Sequence, residues 1–288
     1  MALYGLIGHP IAHSLSPALF AAAYGKQHSY DLISGEIFKE SYNRFLQEYD
    51  AVNVTAPFKE EACSTADVRS PECDVIGACN VLKKTDEGVL AANTDYLGVM
   101  QCLMPFYTDL RLSPVTLVVG CGGAGKAAAY AACELGNQVV ILNRTYEKAE
   151  AFVEKLLGHN PLYNARAANL KDFRKWFKKA GSVIYTLPAP IDEITELKKE
   201  EIKGGLFWNR PKVILEAAYL NPSFSSEVIG RLKDVNEKIT YVSGKEWLLH
   251  QAVEAFGIFT DREPNIPEMI KVLQEIILTL QSFWARPE

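Results

Sequence analysis

The strongest chemical signal in the sequence is a set of glycines with G-x-G-x-x-G spacing. They follow the apolar, β-branched run 115–119 and precede the Ala-rich run 126–135, so a strand, a tight turn and a helix are predicted around them. Glycines in this setting let the backbone approach a pyrophosphate, to which the helix N-terminus offers free N–H groups. The alternative is a plain glycine-rich turn. The loop residues that we expect at a dinucleotide are Gly120, Gly122, Gly123, Ala124 and Gly125.

A phosphate loop of the mononucleotide type is a second interpretation of the same stretch. Gly120 to Lys126 fits G-x-x-x-x-G-K, but the next residue is Ala127. The Ser or Thr hydroxyl that would hold magnesium is therefore missing, and we set this interpretation aside.

The residues after the second predicted strand, 139–142, indicate which dinucleotide binds. An NAD site has an Asp or Glu here for the ribose 2′-hydroxyl, whereas this chain has Asn143 followed by Arg144. A guanidinium can bind a 2′-phosphate bidentately, so the sequence favours NADP. The alternative is that Arg144 and Lys148 are merely solvated. The residues that we expect near the adenosine ribose are Asn143, Arg144, Thr145 and Lys148.

Two hydroxyl residues precede the apolar run 18–24. Ser16, followed by Pro17, is a good helix N-cap, with Ser14 as a loop residue. Two hydroxyls at a helix start can also bind an anion such as a substrate carboxylate. The local pattern leaves both interpretations open.

Further polar residues lie where predicted strands end. Asn53 and Thr55 share one face of the strand 51–55, and Lys59 opens the next helix, an unfavourable place for a cation in the helix dipole. Asn80 lies in the first strand of a hairpin predicted over 78–93, and Asp95 follows its second strand. The alternatives are a surface lysine at 59 and a simple N-cap at 95. Together these side chains could line a cleft.

The elements around these residues predict an α/β fold. After the glycine loop, a helix over 146–157 and short apolar strands over 183–186 and 213–217 alternate as in a doubly wound parallel sheet. Helices are then predicted over 244–256 and 267–284, the second with apolar residues at 3–4 spacing that include Ile277 and Leu280.

Composition narrows the class of protein. The chain has 288 residues, 48% hydrophobic and 23% charged, with a net charge of −5. Nothing suggests a nucleic acid partner, a membrane span or a signal peptide, so we expect a cytoplasmic enzyme or binding protein for a small molecule. The six cysteines form no C-x-x-C pair and the five histidines show no ligand spacing. We therefore expect reduced thiols and no metal site.

Several motifs together resemble the shikimate dehydrogenases, a family that includes enzymes acting on quinate. The matching stretches run in the family's order along nearly the whole chain. They are Ser-Leu-Ser-Pro at 14–17, Asn-Val-Thr-Ala-Pro-Phe-Lys at 53–59, Gly-Ala-Cys-Asn at 77–80, Asn-Thr-Asp at 93–95, Gly-Cys-Gly-Gly-Ala at 120–124, Asn-Arg-Thr at 143–145 and Gln-Ala at 251–252.

The resemblance implies two domains around a cleft. A smaller α/β substrate-binding domain would comprise residues 1–98, completed by 240–288, and a Rossmann-type NADP domain would comprise 99–239. It implies Lys59 and Asp95 as the catalytic pair, with Gly244 added to the cofactor site. The residues implied for substrate are Ser14, Ser16 and Tyr219 at the carboxylate, and Thr55, Asn80 and Gln251, beside the catalytic pair, at the ring hydroxyls.

The chain departs from the family pattern at three places. Val81 replaces the usual Thr after Asn80, Glu216 replaces an Asp, and Tyr-Thr-Leu-Pro at 185–188 replaces an Asn-Ala-Thr-Pro segment near the nicotinamide ribose. The last departure concerns cofactor pose and turnover more than substrate recognition.

We expect an NADP-dependent shikimate dehydrogenase, a monomer or homodimer, that interconverts 3-dehydroshikimate and shikimate. One alternative is a quinate or quinate/shikimate dehydrogenase of the same fold, perhaps with NAD. The other is a non-catalytic relative that senses these ligands; the intact Lys59 and Asp95 argue against it, and the altered segment 185–188 argues for it.

Overall fold

The protein folds into two compact units. The computed structural model describes residues 2–109, 112–205 and 209–284, with the backbone alone for 277–284. The first unit comprises Met1–Thr94 and Leu248–Glu288, and the second comprises Asp95–Trp247. The chain therefore passes from the first unit to the second after Thr94 and returns after Trp247.

The first unit is built on a six-stranded mixed sheet. Its elements up to the first crossing are β1 (Leu3–Gly8), α1 (Ser16–Tyr24), β2 (Ser29–Ser34), α2 (Phe38–Glu48), β3 (Ala51–Val54), α3 (Lys59–Thr65), β4 (Val68–Arg69), α4 (Pro71–Ile76), β5 (Val81–Thr85) and β6 (Gly88–Ala92). The strand order is β2-β1-β3-β5-β6-β4, with β1 parallel to β2 and β3, and β5 antiparallel to β3 and β6.

Both faces of this sheet are buried, which explains why the C-terminal segment belongs to it. Ile7 and Val52 face a core that includes Phe38 and Phe45 of α2. On the other face, Tyr4 and Ala51 pack into a second core with α1 and the C-terminal helices. Two C-terminal helices bury this face together with α1. They are α12 (Gly244–Thr260), which contains the second crossing, and α13 (Ile266–Trp284).

The second unit is built on a six-stranded sheet whose pairs are all parallel. Its elements are α5 (Asp95–Leu103), β7 (Val115–Val119), α6 (Gly123–Glu134), β8 (Gln138–Asn143), α7 (Tyr146–His159), β9 (Asn164–Asn169), α8 (Phe173–Lys179), β10 (Ser182–Tyr185), α9 (Asp192–Thr195), α10 (Lys199–Lys203), β11 (Lys212–Glu216), α11 (Ser226–Val235) and β12 (Ile239–Val242).

The strand order of this sheet is that of a dinucleotide-binding fold. From one edge the order is β9-β8-β7-β10-β11-β12, so the chain starts in the centre, winds outward and then returns to build the other half. The direction of winding reverses between β7 and β10. Ligands of such sheets bind outside the carboxyl ends of the strands at this switch point.

The α/β prediction with a doubly wound sheet is confirmed, but some of its details change. Strands β9 and β12 were not predicted. Because β12 pairs with β11, residues 240–247 belong to the second unit and not to the C-terminal completion of the first. Residues 95–98 also belong to the second unit, because α5 packs along α6. The predicted α13 is present, while the side chains of Ile277 and Leu280 lie outside the described residues.

One lysine is enclosed at the amino end of the second sheet. Lys212 is only 1% exposed, and its Nζ donates to the backbone carbonyls of Phe177 and Ala180 at the end of α8. Burial lowers its pKa to about 7. This lysine lies at the opposite end of the strands from the glycine loop, so we assign it to the packing of α8. No helix within the described residues has both the length and the apolar character needed to cross a membrane.

Candidate active site

The glycine loop lies at the switch point of the second sheet. Gly120 follows β7 with φ +107°, a conformation that a residue with a Cβ rarely adopts. A Cβ on Gly125 would lie 2.2 Å from the carbonyl oxygen of Gly120, so the third glycine allows α6 to pack closely on the loop. A Cβ on Gly122 would meet nothing within 4 Å. The second glycine therefore faces open space, as expected where a pyrophosphate approaches the backbone.

The N-terminus of α6 can serve an anion. The helix begins at Gly123, and its first backbone hydrogen bond runs from the Lys126 N–H to the Gly122 carbonyl at 2.8 Å. The N–H groups of Gly123, Ala124 and Gly125 precede that bond, so they have no intrahelical acceptor and point out of the helix end.

Thr186, which the sequence analysis did not assign to the site, supports the glycine loop from β10. Its Oγ1 donates to the Val119 carbonyl at 2.8 Å. A Cβ on Gly120 would lie 2.5 Å from the same Thr186 Oγ1. Tyr185 points instead into the core, where its hydroxyl donates to the Ala189 carbonyl at 2.7 Å. The unusual segment 185–188 thus contributes one residue that supports the loop and one that fills the core.

The predicted 2′-phosphate residues lie at the carboxyl end of β8. Asn143 ends this strand, and its Nδ2 donates to the Thr145 carbonyl at 2.9 Å, which shapes the turn into α7. Arg144 and Lys148 are exposed on this turn and the first turn of α7. Their side chains are therefore accessible to a ligand that passes over the end of the strand.

Gly244 has a clear packing role. A Cβ on it would lie 2.4 Å from the Ala217 carbonyl oxygen and 2.7 Å from that of Glu216, so only glycine allows α12 to start against the end of β11. This role stands beside the predicted cofactor contact, which remains a prediction.

Glu216 organises the loop that carries Tyr219. Its buried carboxylate accepts the backbone N–H groups of Ser223 at 2.5 Å and Phe224 at 3.1 Å, and the Tyr241 hydroxyl at 3.1 Å. Burial raises the pKa of this carboxyl, and the hydrogen bonds oppose that rise. The loop is thus fixed to β11 and β12, with Tyr219 half-buried within it.

The predicted ring-binding residues of the first unit form a buried amide network. Asn80 Nδ2 donates to Thr94 Oγ1 at 2.9 Å and to Gln251 Oε1 at 2.8 Å. Asn80 Oδ1 accepts the Thr94 N–H at 2.7 Å, and Thr94 Oγ1 donates to the Gln251 carbonyl at 2.8 Å. The structure therefore brings Asn80 and Gln251 together, although they are far apart in sequence. Asn80 itself lies just before β5, not within it as predicted.

Ser16 does not cap α1, which was one of the two interpretations that the sequence left open. Ser16 is the first residue of the helix, and its side chain makes no capping hydrogen bond. Instead the Ser16 N–H donates to Ser14 Oγ at 3.2 Å, and the Ser14 hydroxyl donates to Ser16 Oγ at 3.2 Å. The N-cap interpretation of Ser16 is wrong because the helix already includes Ser16 as its first residue. The two hydroxyls face each other, which suits an anion site.

Thr55 and Lys59 are positioned by tight packing around the turn between β3 and α3. A Cβ on Gly8 would lie 2.4 Å from Thr55 Cγ2, so the glycine makes room for that side chain. Lys59 is half-buried, and its carbonyl accepts the Cys79 N–H at 2.9 Å. The start of α3 is thereby tied to the backbone beside Asn80.

Asp95 opens the second unit. It is the first residue of α5, only 5% exposed, and its carbonyl accepts the Trp247 Nε1–H at 2.9 Å. The two residues at which the chain enters and leaves this unit are thus joined by a hydrogen bond. Within the described residues, no group of three or more His, Cys, Asp or Glu side chains is arranged to hold a metal ion.

Comparison with known proteins decides the family. Residues 6–82 match the shikimate dehydrogenase substrate binding domain. Over 285 residues the chain is 32% identical to the shikimate dehydrogenase (NADP(+)) of Methanothermobacter thermautotrophicus, a match that covers 95% of this chain and 96% of the relative. The chain belongs to the shikimate dehydrogenase family. The family prediction made from the motifs is confirmed.

A plant member of this family is longer. The chain is 30% identical over 283 residues to the chloroplastic bifunctional 3-dehydroquinate dehydratase/shikimate dehydrogenase of Arabidopsis thaliana, which covers 90% of this chain and 44% of that protein. The chain therefore spans less than half of the plant protein.

Solved structures support the shikimate dehydrogenase fold. The shikimate 5-dehydrogenase of Thermus thermophilus in complex with NADP(H) and shikimate superposes with a TM-score of 0.75 at 25% identity, over 96% of this chain and 99% of that chain. The quinate dehydrogenase of Corynebacterium glutamicum in complex with NAD gives 0.77 at 21% identity, over 95% and 99%. The second likeness is one of fold alone.

Three residues that matter to the site were not predicted to do so. They are Tyr30, Thr94 and Thr186, and each acts through hydrogen bonds to residues distant in sequence. Thr94 lies within a family motif and Thr186 within the altered segment, so only these two carried a sequence signal. Tyr30 carried none.

Proposed function

We propose that this chain is an NADP-dependent shikimate dehydrogenase that catalyses the reversible reduction of 3-dehydroshikimate to shikimate, a step of aromatic amino-acid biosynthesis. The observation that carries the proposal is the end-to-end similarity to the Methanothermobacter thermautotrophicus enzyme of that name. That similarity includes both the unit with the matched substrate-binding domain and the unit with the glycine loop.

The residues after β7 and β8 fit NADP. Gly122 leaves open space where a pyrophosphate approaches, and the N–H groups at the start of α6 would donate to it. Arg144, with Lys148 one turn later, would bind the 2′-phosphate. When bound, the cofactor supplies or accepts the hydride.

The residues of the first unit would hold the substrate and one proton. Ser14 and Ser16 would donate hydroxyl hydrogens to the carboxylate, and Thr55, Asn80 and Gln251 would hold the ring hydroxyls. In the direction of reduction the ketone oxygen must gain a proton as the C–O bond becomes single. The Lys59 ammonium would donate that proton, and Asp95 would keep the lysine charged and in place.

Two alternatives give different outcomes in one assay. A quinate enzyme would turn over quinate faster than shikimate, and the arginine after β8 argues against NAD as its cofactor. A ligand sensor would bind shikimate without turnover.

We further expect the protein to work in the cytoplasm as a monomer or homodimer.

The test is NADPH oxidation by the purified protein with 3-dehydroshikimate, followed by the loss of NADPH absorbance. The same preparation is assayed with NADH, and in the reverse direction with shikimate and with quinate. Turnover of shikimate with NADP that exceeds turnover of quinate with either cofactor supports the proposal. A protein whose melting temperature rises with shikimate but which shows no turnover would be the sensor.

A further inference from the structure

A threonine hydroxyl after β10 fills the space between two glycines of the loop that follows β7. Thr186 Oγ1 lies 2.5 Å from the place where a Cβ on Gly120 would be, and 3.0 Å from the place where a Cβ on Gly125 would be. The first and third glycines of the loop therefore leave room for this one oxygen. A side chain on either glycine would displace it, so the threonine and the two glycines fit together.

Two hydrogen bonds fix Thr186 to the end of β7. Its backbone N–H donates to the Val119 carbonyl at 2.9 Å, and its Oγ1 donates to the same carbonyl at 2.8 Å. Val119 is the last residue of β7 and directly precedes Gly120. The hydroxyl is thus held in one orientation at the point where the loop leaves the strand. All of these residues belong to the second unit.

Thr186 stands at a place where this chain departs from the family pattern. The resemblance implies Asn-Ala-Thr-Pro near the nicotinamide ribose, whereas this chain has Tyr-Thr-Leu-Pro at 185–188. Thr186 thus replaces an Ala, which has no hydroxyl. Tyr185, in place of the Asn, is fully buried and donates to the Ala189 carbonyl at 2.7 Å. The chain therefore lacks the amide at one position and has an additional hydroxyl at the next.

We propose that Thr186 is a positioning residue for the dinucleotide, because its hydroxyl holds the loop whose backbone N–H groups, from Gly123 onward, would donate to the pyrophosphate. This inference rests on the proposed function, which implies the cofactor. A loop that is already held in place loses little conformational freedom when the dinucleotide binds, so the affinity is higher than with a loosely held loop. The pyrophosphate is common to NADP and NAD, and the contribution of Thr186 is therefore the same for both.

The test is titration calorimetry of Thr186→Val with NADP and with NAD. Valine has the shape of threonine, but its side chain cannot donate to the Val119 carbonyl, and its methyl group takes the place of the oxygen between the two glycines. The Val119 carbonyl keeps the backbone N–H of residue 186, so we expect a folded protein. The Kd for each cofactor should rise roughly three- to tenfold, the value of one neutral hydrogen bond. The Kd for shikimate should stay within about twofold, because its predicted site lies in the first unit.

Two further variants show whether the hydroxyl is responsible. Thr186→Ser keeps the hydroxyl, so both Kd values should stay within about twofold of wild type. Thr186→Ala lacks both the hydroxyl and the methyl group, so it cannot crowd the glycines and should weaken both cofactors as the valine does. This variant gives a result even if the valine packs too tightly for the protein to fold.

Thr116→Val is the matched control. Thr116 lies on β7 and is fully buried, and its Oγ1 has no hydrogen-bond partner within the described residues. The same exchange of a hydroxyl for a methyl group therefore breaks no hydrogen bond here. We expect Thr116→Val to bind both cofactors as wild type does and to melt at the same temperature or higher.

Several results would overturn the inference. They are unchanged Kd values in folded Thr186→Ala, an equal loss in Thr186→Ser or Thr116→Val, a loss confined to NADP, and failure of both Thr186→Val and Thr186→Ala to fold. A loss confined to NADP would indicate an effect at the 2′-phosphate, where Arg144 is expected to bind. A wild-type protein that binds NADP without turning over shikimate would contradict the proposed function alone, because the cofactor titrations still decide the role of Thr186.

Discussion

Each glycine of the loop after β7 is a glycine for a different physical reason. Gly120 has a positive φ, Gly125 has the Gly120 carbonyl where a Cβ would lie, and Gly122 faces open space. The first two are therefore needed for folding whether or not a cofactor binds. Gly122 is the loop glycine beside open space that a ligand can enter. A side chain at this position would fill the space of the pyrophosphate without disturbing the loop.

Cofactor selection belongs to the residue scale, because it depends on one side chain. Arg144→Ala should weaken NADP binding about ten- to hundredfold and leave NAD binding little changed, since a charge-assisted bidentate contact is worth roughly 1.5–3 kcal/mol. Titration calorimetry with both cofactors measures this directly. Arg166→Ala is the control, because Arg166 is exposed in the middle of β9, next to β8, and not at the strand end.

Two results would contradict this role of Arg144. One is a wild-type protein that binds NAD as tightly as NADP. The other is an Arg166→Ala variant that loses as much NADP affinity as Arg144→Ala, which would indicate a general effect of charge on the second unit.

At the scale of elements, the end of β11 holds a loop in place through one carboxylate. Glu216 accepts two consecutive backbone N–H groups from the loop and a hydroxyl from β12. The resemblance implies the shorter Asp at this position in the family, whereas this chain has Glu216. The same loop carries Tyr219, the residue of the second unit that the resemblance assigns to the carboxylate.

Glu216→Gln should therefore affect stability and substrate binding together. The glutamine side chain has only one acceptor oxygen, and its NH2 group would face a donor that has then lost its acceptor. We therefore expect a loss of about 1–3 kcal/mol in the free energy of unfolding. The KM for shikimate should rise as the loop loosens. Urea unfolding and steady-state kinetics measure the two effects.

Tyr241→Phe is the control for this prediction. It removes the hydroxyl donor and leaves both backbone donors on Glu216, so the loop should stay ordered and the KM for shikimate should stay close to wild type. A Glu216→Gln protein with wild-type stability and KM would show that the carboxylate does not hold the loop.

The elements that could be predicted from sequence are those with a strong local pattern. The run from β7 through α6 to β8 has buried strands, glycine punctuation and an Ala-rich helix, and it folds as predicted. Strand β9 was missed because Asn164–Asn169 has little apolar character, and β12 because Ile239–Val242 is short. Both are edge strands that the sheet, and not their own residues, makes extended.

Hydrogen bonds between distant side chains could not be predicted from any local pattern. The hydrogen bonds from Tyr30 to Asn53 and from Asn53 to the Asn80 carbonyl require β2 and β3 to be in place first. The Ser16 cap was a local inference, and tertiary structure overrode it. Family motifs named Asn80 and Gln251, but only the structure shows that their amides bond to each other.

At the scale of the whole molecule, the predicted catalytic pair is divided between the two units. Lys59 opens α3 in the first unit, and Asp95 is the first residue of the second. Asp95 directly follows Thr94, whose amide and hydroxyl belong to the Asn80 network. The backbone of Asp95 is therefore continuous with that of Thr94 in the predicted substrate site.

The last prediction concerns this pair. Lys59→Ala should lower kcat by about 10²–10⁴, the usual contribution of a positioned acid, with a smaller effect on KM. Asp95→Asn should also lower kcat, because the lysine loses the charge that holds it protonated and oriented. Residues that act as a unit are not additive, so adding the second change to the first should cost much less than the product of the two effects.

Single-turnover NADPH oxidation in the three variants isolates the chemical step from product release. Lys39→Ala, exposed in the first turn of α2, controls for the loss of a lysine elsewhere and should change kcat little. If folded Lys59→Ala protein reacts within a few-fold of wild type, or if the two losses multiply, then Lys59 is a substrate clamp or a surface residue and the proton comes from another group.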